Sequence, residues 1–525
     1  MNSKLYILDT TLRDGAQAAQ VNFSISDKIK IIKILDDFGI NYAEIGSPGM
    51  LENDAELFCE LKKNNPMKFL KPVAFGSTCR EGVKACDDEI LKKTVEMSFE
   101  YIALFGKASS SHVDNILRVS KNENLRMISE SITFCKSKNK RIIFEAEHFF
   151  DGYFSDKEYA LAVISLASES GAERIVLCDT NGGTLPENIA MAVKEVRKLF
   201  SVPLGIHCHN DSGLAVANTL AACKNGVSDV HGTICGIGER CGNTNLCTAI
   251  PDLQLKLGYK IVKPEKLQLL SYYSRKIADI TNILFNEREP YVGKYAFAHK
   301  AGTHIDGEVK FSDAFEHVRP EDVGNKSTYL LSNQSGRAAI AEKLKAFDDS
   351  IDKNSKIVSS VLEKIKESEA KGYQYENADG SLMLLILEAF QKRKKYFSLL
   401  DFKIVLGNPN AKDSLTSALI KISVGEKNAL IAEEGIGPVN AIDKALRKAL
   451  SEFYPILDGM KLSDYKVRVI DSTAATAAKV MVSIESKDTL SSWRTVGVSA
   501  DIIEASWIAL CDSIEYKLSV SEGLI

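Results

Sequence analysis

The chain has 525 residues, 45% of them apolar and 26% charged, with a formal net charge of -4. Its length predicts two or more domains, its composition excludes a fibre or a disordered chain, and its slight acidity argues against a general nucleic-acid or membrane-surface binder. Eleven cysteines without a CxxC pair, and no secretory leader ahead of MNSKLYILD, predict a cytoplasmic protein with reduced thiols; the apolar segment SLMLLILEAF is about half a membrane span.

The first half repeats one pattern: a short apolar run, a polar or glycine-containing turn, then an amphipathic stretch. The runs are LYILD from Leu5, YAEIG from Tyr42, PVAFG from Pro72, YIALF from Tyr101, IIFEAE from Ile142, RIVLC from Arg174, LGIHCH from Leu204 and DVHGTI from Asp229. They recur about every 32 residues, the length of one strand-plus-helix unit. SISDKIKIIKILDDFG offers Ser24 or Ser26 as a helix cap and Gly39 as a stop, and TLPENIAMAVKEVRKLF places Pro186 near a helix start. Eight such units predict a (β/α)8 barrel over residues 1–262, with its chemistry in the loops at the strand C-termini; an open doubly wound sheet is the alternative. Residues 263–395 read as a helical, charged linker region. From 396 to 525, SALIKISVGEKNALIAEEG alternates like a hairpin and leads into GPVNAIDKALRKAL, and YKVRVIDSTAATAAKVMVSIES followed by GVSADIIEASWIALCDSIEYKL repeats that order. The expectation is an α+β domain with internal pseudo-symmetry, used for binding or dimerisation because it holds no histidine.

Chemistry-bearing residues fall just after the expected strands. Arg13 and Asp14 follow the first, Glu145 and Glu147 lie on the fifth, Asp179 and Thr180 follow the sixth, His207 and His209 mark the seventh, and Asn243 follows the eighth. In an extended run, His207 and His209 share one face. With Asp14 they supply two imidazoles and one carboxylate, a ligand set for a divalent metal with positions left for a substrate, and Asn243 adds an amide oxygen. Such donors leave magnesium, manganese and zinc open; the alternative is a pair of hydrogen-bonded core histidines. Arg13 is placed to stabilise negative charge on a carbonyl oxygen. Either Glu145 or Glu147 is a candidate general base, or both are solvated acids at a strand end. GIGERCGN lacks dinucleotide spacing and reads as a tight turn presenting Asn243. AFAHKAGTHIDG, with His299 and His304, is a loop or helix end outside the eightfold repeat.

The motifs LDTTLRDGAQ, LCDTNGGTLP, GIHCHNDSGLAVAN, GIGERCGNTNL and AFAHKAGTHIDG resemble those of metal-dependent barrels that carry out acyl-CoA Claisen condensations, the α-isopropylmalate/homocitrate synthase family. The C-terminal EEGIGPVNAIDKALRKAL and VGVSADIIEASWIALCDSIEYKL resemble that family's regulatory and dimerisation domain, so the likeness spans essentially the whole chain. It implies that Asp14, His207 and His209 bind a metal, with Asn243 in or beside the shell, that Thr180 holds the carboxylate of a 2-oxo acid, and that Arg13 polarises its ketone. Glu147 and His304 would remove a proton from the methyl group of acetyl-CoA and manage the resulting alkoxide. DTTLRDGAQAAQVNFS, EAEHFFDGY and AFEHVRPEDVGN look most like the pyruvate-accepting branch, whose product is citramalate; a homodimer and feedback by isoleucine are then implied. A 2-isopropylmalate synthase using 2-oxoisovalerate and a non-catalytic amino-acid sensor are the alternatives. This chain departs from the pattern at Ala16, where many relatives carry Glu, at Phe315, where many carry Tyr, and in DSTAATAAKV, which lacks glycines.

Overall fold

The computed structural model describes residues 4–525 apart from 312–313, 331–335, 346, 408–414, 471–477 and 489–490. The eight apolar runs form eight parallel strands: β1 (Tyr6–Asp9), β2 (Tyr42–Gly46), β3 (Lys71–Ser77), β4 (Tyr101–Lys107), β5 (Arg141–Glu147), β6 (Arg174–Asp179), β7 (Leu204–Cys208) and β8 (Asp229–Gly232). Each pairs with the next, and β8 returns to β1 with Asp229 opposite Tyr6 and Gly232 opposite Asp9. The sheet is therefore a closed barrel, and the doubly wound alternative is excluded.

Strands buried on both faces read as nearly continuous apolar runs. Alternation then assigns the faces: Ile102, Leu104, Phe144, Ala146, Ile175 and Leu177 point outward into the core shared with the helices, while Val73, Ala103, Ile143 and Val176 fill the barrel. Ser24 caps the helix Ile25–Phe38 in a capping box with Asp27, and Gly39, at φ 99°, ends it in the left-handed region where a side chain would be strained. At the N-terminal end of the barrel, Arg174 pairs with Asp229, donates to the Tyr42 hydroxyl at 2.6 Å, and lies over the Tyr6 and Tyr42 rings at 4.9 and 4.3 Å. This layer closes the bottom and leaves the strand C-termini as the open end.

The structure divides into two compact units, one of Met1–Phe297 and Glu316–Ser327, the other of Ala298–Phe315 and Thr328–Ile525. In the second, β9 (Ala298–His299) and β10 (Thr328–Tyr329) form a two-stranded ladder, accompanied by helices Gly302–Lys310, Arg337–Leu344, Lys356–Ala370 and Asp379–Ala389. Two antiparallel sheets follow, β11 (Ser398–Val405), β12 (Thr416–Val424) and β13 (Lys427–Gly435), then β14 (Lys461–Val469), β15 (Val480–Lys487) and β16 (Ser492–Ser499), each succeeded by a helix, Pro438–Ser451 and Ile502–Ser521.

Each half thus holds three strands, where the sequence pattern shows a hairpin. The third strands are masked in the sequence for local reasons. A register shift between Leu399 and Asp401 breaks the alternation of β11, and β16 carries Gly497, where a Cβ would fall 2.0 Å from the Ala505 carbonyl of the helix packed on it. Most of DSTAATAAKV lies outside the described residues. Among the described residues, no helix is long and apolar enough to cross a membrane.

Candidate metal centre and active site

The turn after β1 is built by Asp9. Its buried carboxylate accepts the Thr11 N–H and hydroxyl, both at 2.9 Å, and the Thr11 hydroxyl oxygen accepts from the Ile234 N–H at 2.9 Å, tying this turn to the segment after β8. Burial, partly offset by those Thr11 bonds, pushes the Asp9 carboxyl up to about 7. The turn delivers Arg13 and Asp14 into the barrel mouth.

Asp14 Oδ2 lies 3.3 Å from His207 Nε2 and 3.8 Å from His209 Nε2, and the two Nε2 atoms are 3.4 Å apart. One ligand atom from each of the three buried residues lies within 4.8 Å of the others. Burial raises the Asp14 carboxyl, but the Arg13 guanidinium and the two imidazoles outweigh it and hold Asp14 well below the usual carboxylate range. Burial and the neighbouring His207 bring His209 down to about 4 and keep it neutral, the form that ligates. His209 forms a backbone bridge with Asn243, whose amide donates to the Ile237 carbonyl at 3.3 Å. Asp14 Oδ1 and Asn243 Oδ1 are both buried with no hydrogen-bond donor. Buried acceptors without partners are costly; a divalent cation accepted by two oxygens and two imidazole nitrogens satisfies them, so the residues present fit a metal.

Arg13 is held on all sides. Its Nε donates to Glu44 Oε2 at 2.6 Å, its Nη1 lies 3.4 Å from Asp14, its Nη2 lies 3.9 Å from Glu145 Oε2, and its guanidinium covers the Phe75 ring at 3.8 Å. Burial opposes its charge, yet the surrounding carboxylates raise its pKa further and keep it cationic. These groups line a cavity of about 430 Å³ together with Gln17, Phe105, Glu147, Cys178 and Thr180, a volume suited to a small ligand. Phe75 and Phe105 stack, centroids 5.3 Å apart at 13°, as an apolar wall.

Thr180 faces the cavity, and its hydroxyl oxygen accepts the His148 N–H at 2.8 Å. Asp179 does not: it accepts from the Thr184 hydroxyl at 2.7 Å and from Asn218, securing the loop. Glu147 pairs with Lys107 at 2.5 Å. His304 belongs to the second unit, on the helix Gly302–Lys310, where its ring stacks on Phe315 with centroids 4.3 Å apart. The departure at Phe315 therefore supplies a ring contact and no hydroxyl.

Sequence reasoning brought Arg13, Asp14, Glu145, Glu147, Asp179, Thr180, His207, His209 and Asn243 to one end of the barrel, and the structure gathers them there, with Asp179 turned into its own loop and away from the cavity. It passed over Glu44, His231 and Lys107. The missed signal is a titratable residue at an inward position of an apolar strand, Glu44 in YAEIG and His231 in DVHGTI.

The HMGL-like family model matches residues 4–270, the homocitrate synthase post-HMGL domain-like model residues 291–372, and the LeuA allosteric (dimerisation) domain model residues 376–518. The chain is 46% identical to an (R)-citramalate synthase of Aquifex aeolicus, covering 99% of both chains. It is 44% identical to an (R)-citramalate synthase of Geobacter sulfurreducens, covering 99% of this chain and 98% of the relative. A 2-isopropylmalate synthase of Methanocaldococcus jannaschii is more distant, 30% identical over 99% of this chain and 96% of the relative.

Proposed function

The chain belongs to the HMGL-like Claisen-condensing enzymes, transferases among which its full-length likeness is to the (R)-citramalate synthases, and on that premise we propose that it condenses acetyl-CoA with pyruvate and water to give citramalate and CoA. The observation that carries this reading is the convergence of Asp14, His207 and His209 beside Arg13 at a small cavity walled by Phe75 and Phe105.

Asp14, His207 and His209, with Asn243 beside them, would hold a divalent ion, magnesium or manganese before zinc given the oxygen donors; when bound, the ion supplies Lewis-acid polarisation of a 2-oxo acid. The Thr180 hydroxyl, whose oxygen already accepts from the His148 N–H, has its own proton to donate to the substrate carboxylate. Arg13, stacked on Phe75 and charge-balanced by Glu44, is pre-organised to stabilise negative charge on the keto oxygen. Glu147, kept in place by Lys107, takes a proton from the acetyl methyl group. The apolar wall favours a substrate as small as pyruvate. For His304 the family resemblance, and not a distance, supports a role in the proton transfers.

Residues 1–262 would carry catalysis, 263–395 would link and cover, and 396–525 would regulate and dimerise, with isoleucine as effector; the LeuA-type match at 376–518 supports regulation and dimerisation, and light scattering with and without isoleucine tests the dimer and its effector. Eleven free cysteines support a reducing compartment such as the cytoplasm. The test of the reaction is CoA release, read with a thiol reagent, across a panel of 2-oxo acids. Pyruvate is expected to give the highest kcat/KM; faster turnover of 2-oxoisovalerate would favour a 2-isopropylmalate synthase, and no turnover with any acid would favour a sensor.

A further inference from the structure

Three titratable side chains are buried inside the barrel, and of these only Glu44 has a part in the reaction set out above, as the counter-charge to Arg13. Glu44 on β2, Glu145 on β5 and His231 on β8 each bring one nitrogen or oxygen within 4.8 Å of the others. His231 Nδ1 is 3.3 Å from Glu145 Oε1, and Arg13 touches both acids, at 2.6 Å through Nε and 3.9 Å through Nη2. Glu44 and His231 are fully enclosed, whereas Glu145 also lines the cavity.

One oxygen of Glu44 lies within 4.8 Å of one oxygen of Glu145. Two buried carboxylates this close repel each other, and a proton shared between them relieves that repulsion. Burial and the neighbouring acid act in the same direction, raising Glu44 to about 7 against the pull of Arg13. Glu145 Oε1, Glu44 Oε1 and both His231 ring nitrogens also lack a well-aligned partner. Apolar side chains would fill this layer at lower cost, so a pair of buried acids beneath the cavity calls for a use.

We propose that the Glu44–Glu145 pair is the general acid of the condensation, delivering its shared proton through Glu145, the member lining the cavity, to the oxygen that becomes the product's tertiary hydroxyl. This rests on the function proposed above. As the new C–C bond forms, the carbonyl π pair moves onto the keto oxygen beside Arg13; that oxygen takes the proton, and the pair is left as two carboxylates whose charge Arg13 offsets. The proton that Glu147 removed from the acetyl methyl group restores the pair, since Glu145 and Glu147 lie two residues apart on one strand face. No oxidant or further reactant is needed.

The test is steady-state kinetics of CoA release by Glu145→Gln, Glu145→Asp and Glu44→Gln, beside the melting temperature and Mn²⁺ affinity of each. Glu145→Gln keeps shape and hydrogen bonding but has no transferable proton. Its kcat is expected to fall about 100-fold or more, the range of a lost general acid, with pyruvate KM, melting temperature and Mn²⁺ affinity close to wild type. Glu145→Asp should recover at least about tenfold of that kcat, and Glu44→Gln, should Glu145→Gln fold poorly, should itself lose at least about tenfold. A Glu145→Gln kcat within threefold of wild type, or a loss carried wholly by pyruvate KM with no recovery in Glu145→Asp, overturns the proposal. A wild-type protein that releases no CoA with any 2-oxo acid would instead overturn the function it rests on, and the inference falls with it.

Discussion

Phe105→Ala removes one ring of the stacked pair that walls the cavity and opens room beside Phe75. 2-Oxoisovalerate carries two more carbons than pyruvate, and burying each is worth about 0.8 kcal/mol. The variant should therefore shift the ratio of kcat/KM between 2-oxoisovalerate and pyruvate by about 1.6 kcal/mol, roughly 15-fold, toward the branched acid. Losing the ring contact costs about 0.5–1.5 kcal/mol. Because Phe75 is the surface on which Arg13 rests, at 3.8 Å, turnover of pyruvate itself should also decline. Both effects are read in one CoA-release assay with the two acids at several concentrations. An unchanged ratio, or one moved toward pyruvate, would refute the assignment of this wall as the limit on substrate size.

At the opposite end of the barrel, Arg174→Met strands the buried Asp229 carboxylate and should cost about 3–5 kcal/mol. Calorimetry should show the barrel melting several degrees lower while pyruvate KM in the folded fraction stays constant, and an unshifted melting temperature would contradict the role of that ion pair. The exposed thiols Cys59, Cys86 and Cys241 should be alkylated within a brief exposure to N-ethylmaleimide, whereas Cys135, which burial pushes up to about 12, should stay unmodified until the protein unfolds. Peptide mass spectrometry after labelling checks this; early modification of Cys135 would show a looser barrel than described.

Much of the catalytic unit was legible because a parallel barrel imposes a short period on its sequence. LYILD through DVHGTI each appear as strands close to where the apolar runs begin, and the residues ending them meet at one mouth. Closure was not legible, since only the pairing of β8 with β1 distinguishes a barrel from an open sheet. The candidate ligand set was readable because HxH at a strand end puts two imidazoles on one face opposite the turn that carries Asp14, whereas Glu44 and His231 gave only the weaker signal of a single titratable residue at an inward position of an apolar run. In the C-terminal sheets, the bulge near Leu399 and the close helix contact at Gly497 erase the alternation that would have betrayed β11 and β16.

The proposed reaction requires a divalent ion held by Asp14, His207 and His209. Titrating Mn²⁺ into metal-stripped protein, with calorimetry as the readout and circular dichroism as the check on folding, tests this without any assumption about the substrate. Wild-type protein should bind one ion per chain, and His209→Ala, by losing one of three ligating side chains, should bind at least about 100-fold more weakly while remaining folded. A folded His209→Ala variant that binds Mn²⁺ as tightly as wild type would contradict the metal centre and everything built on it.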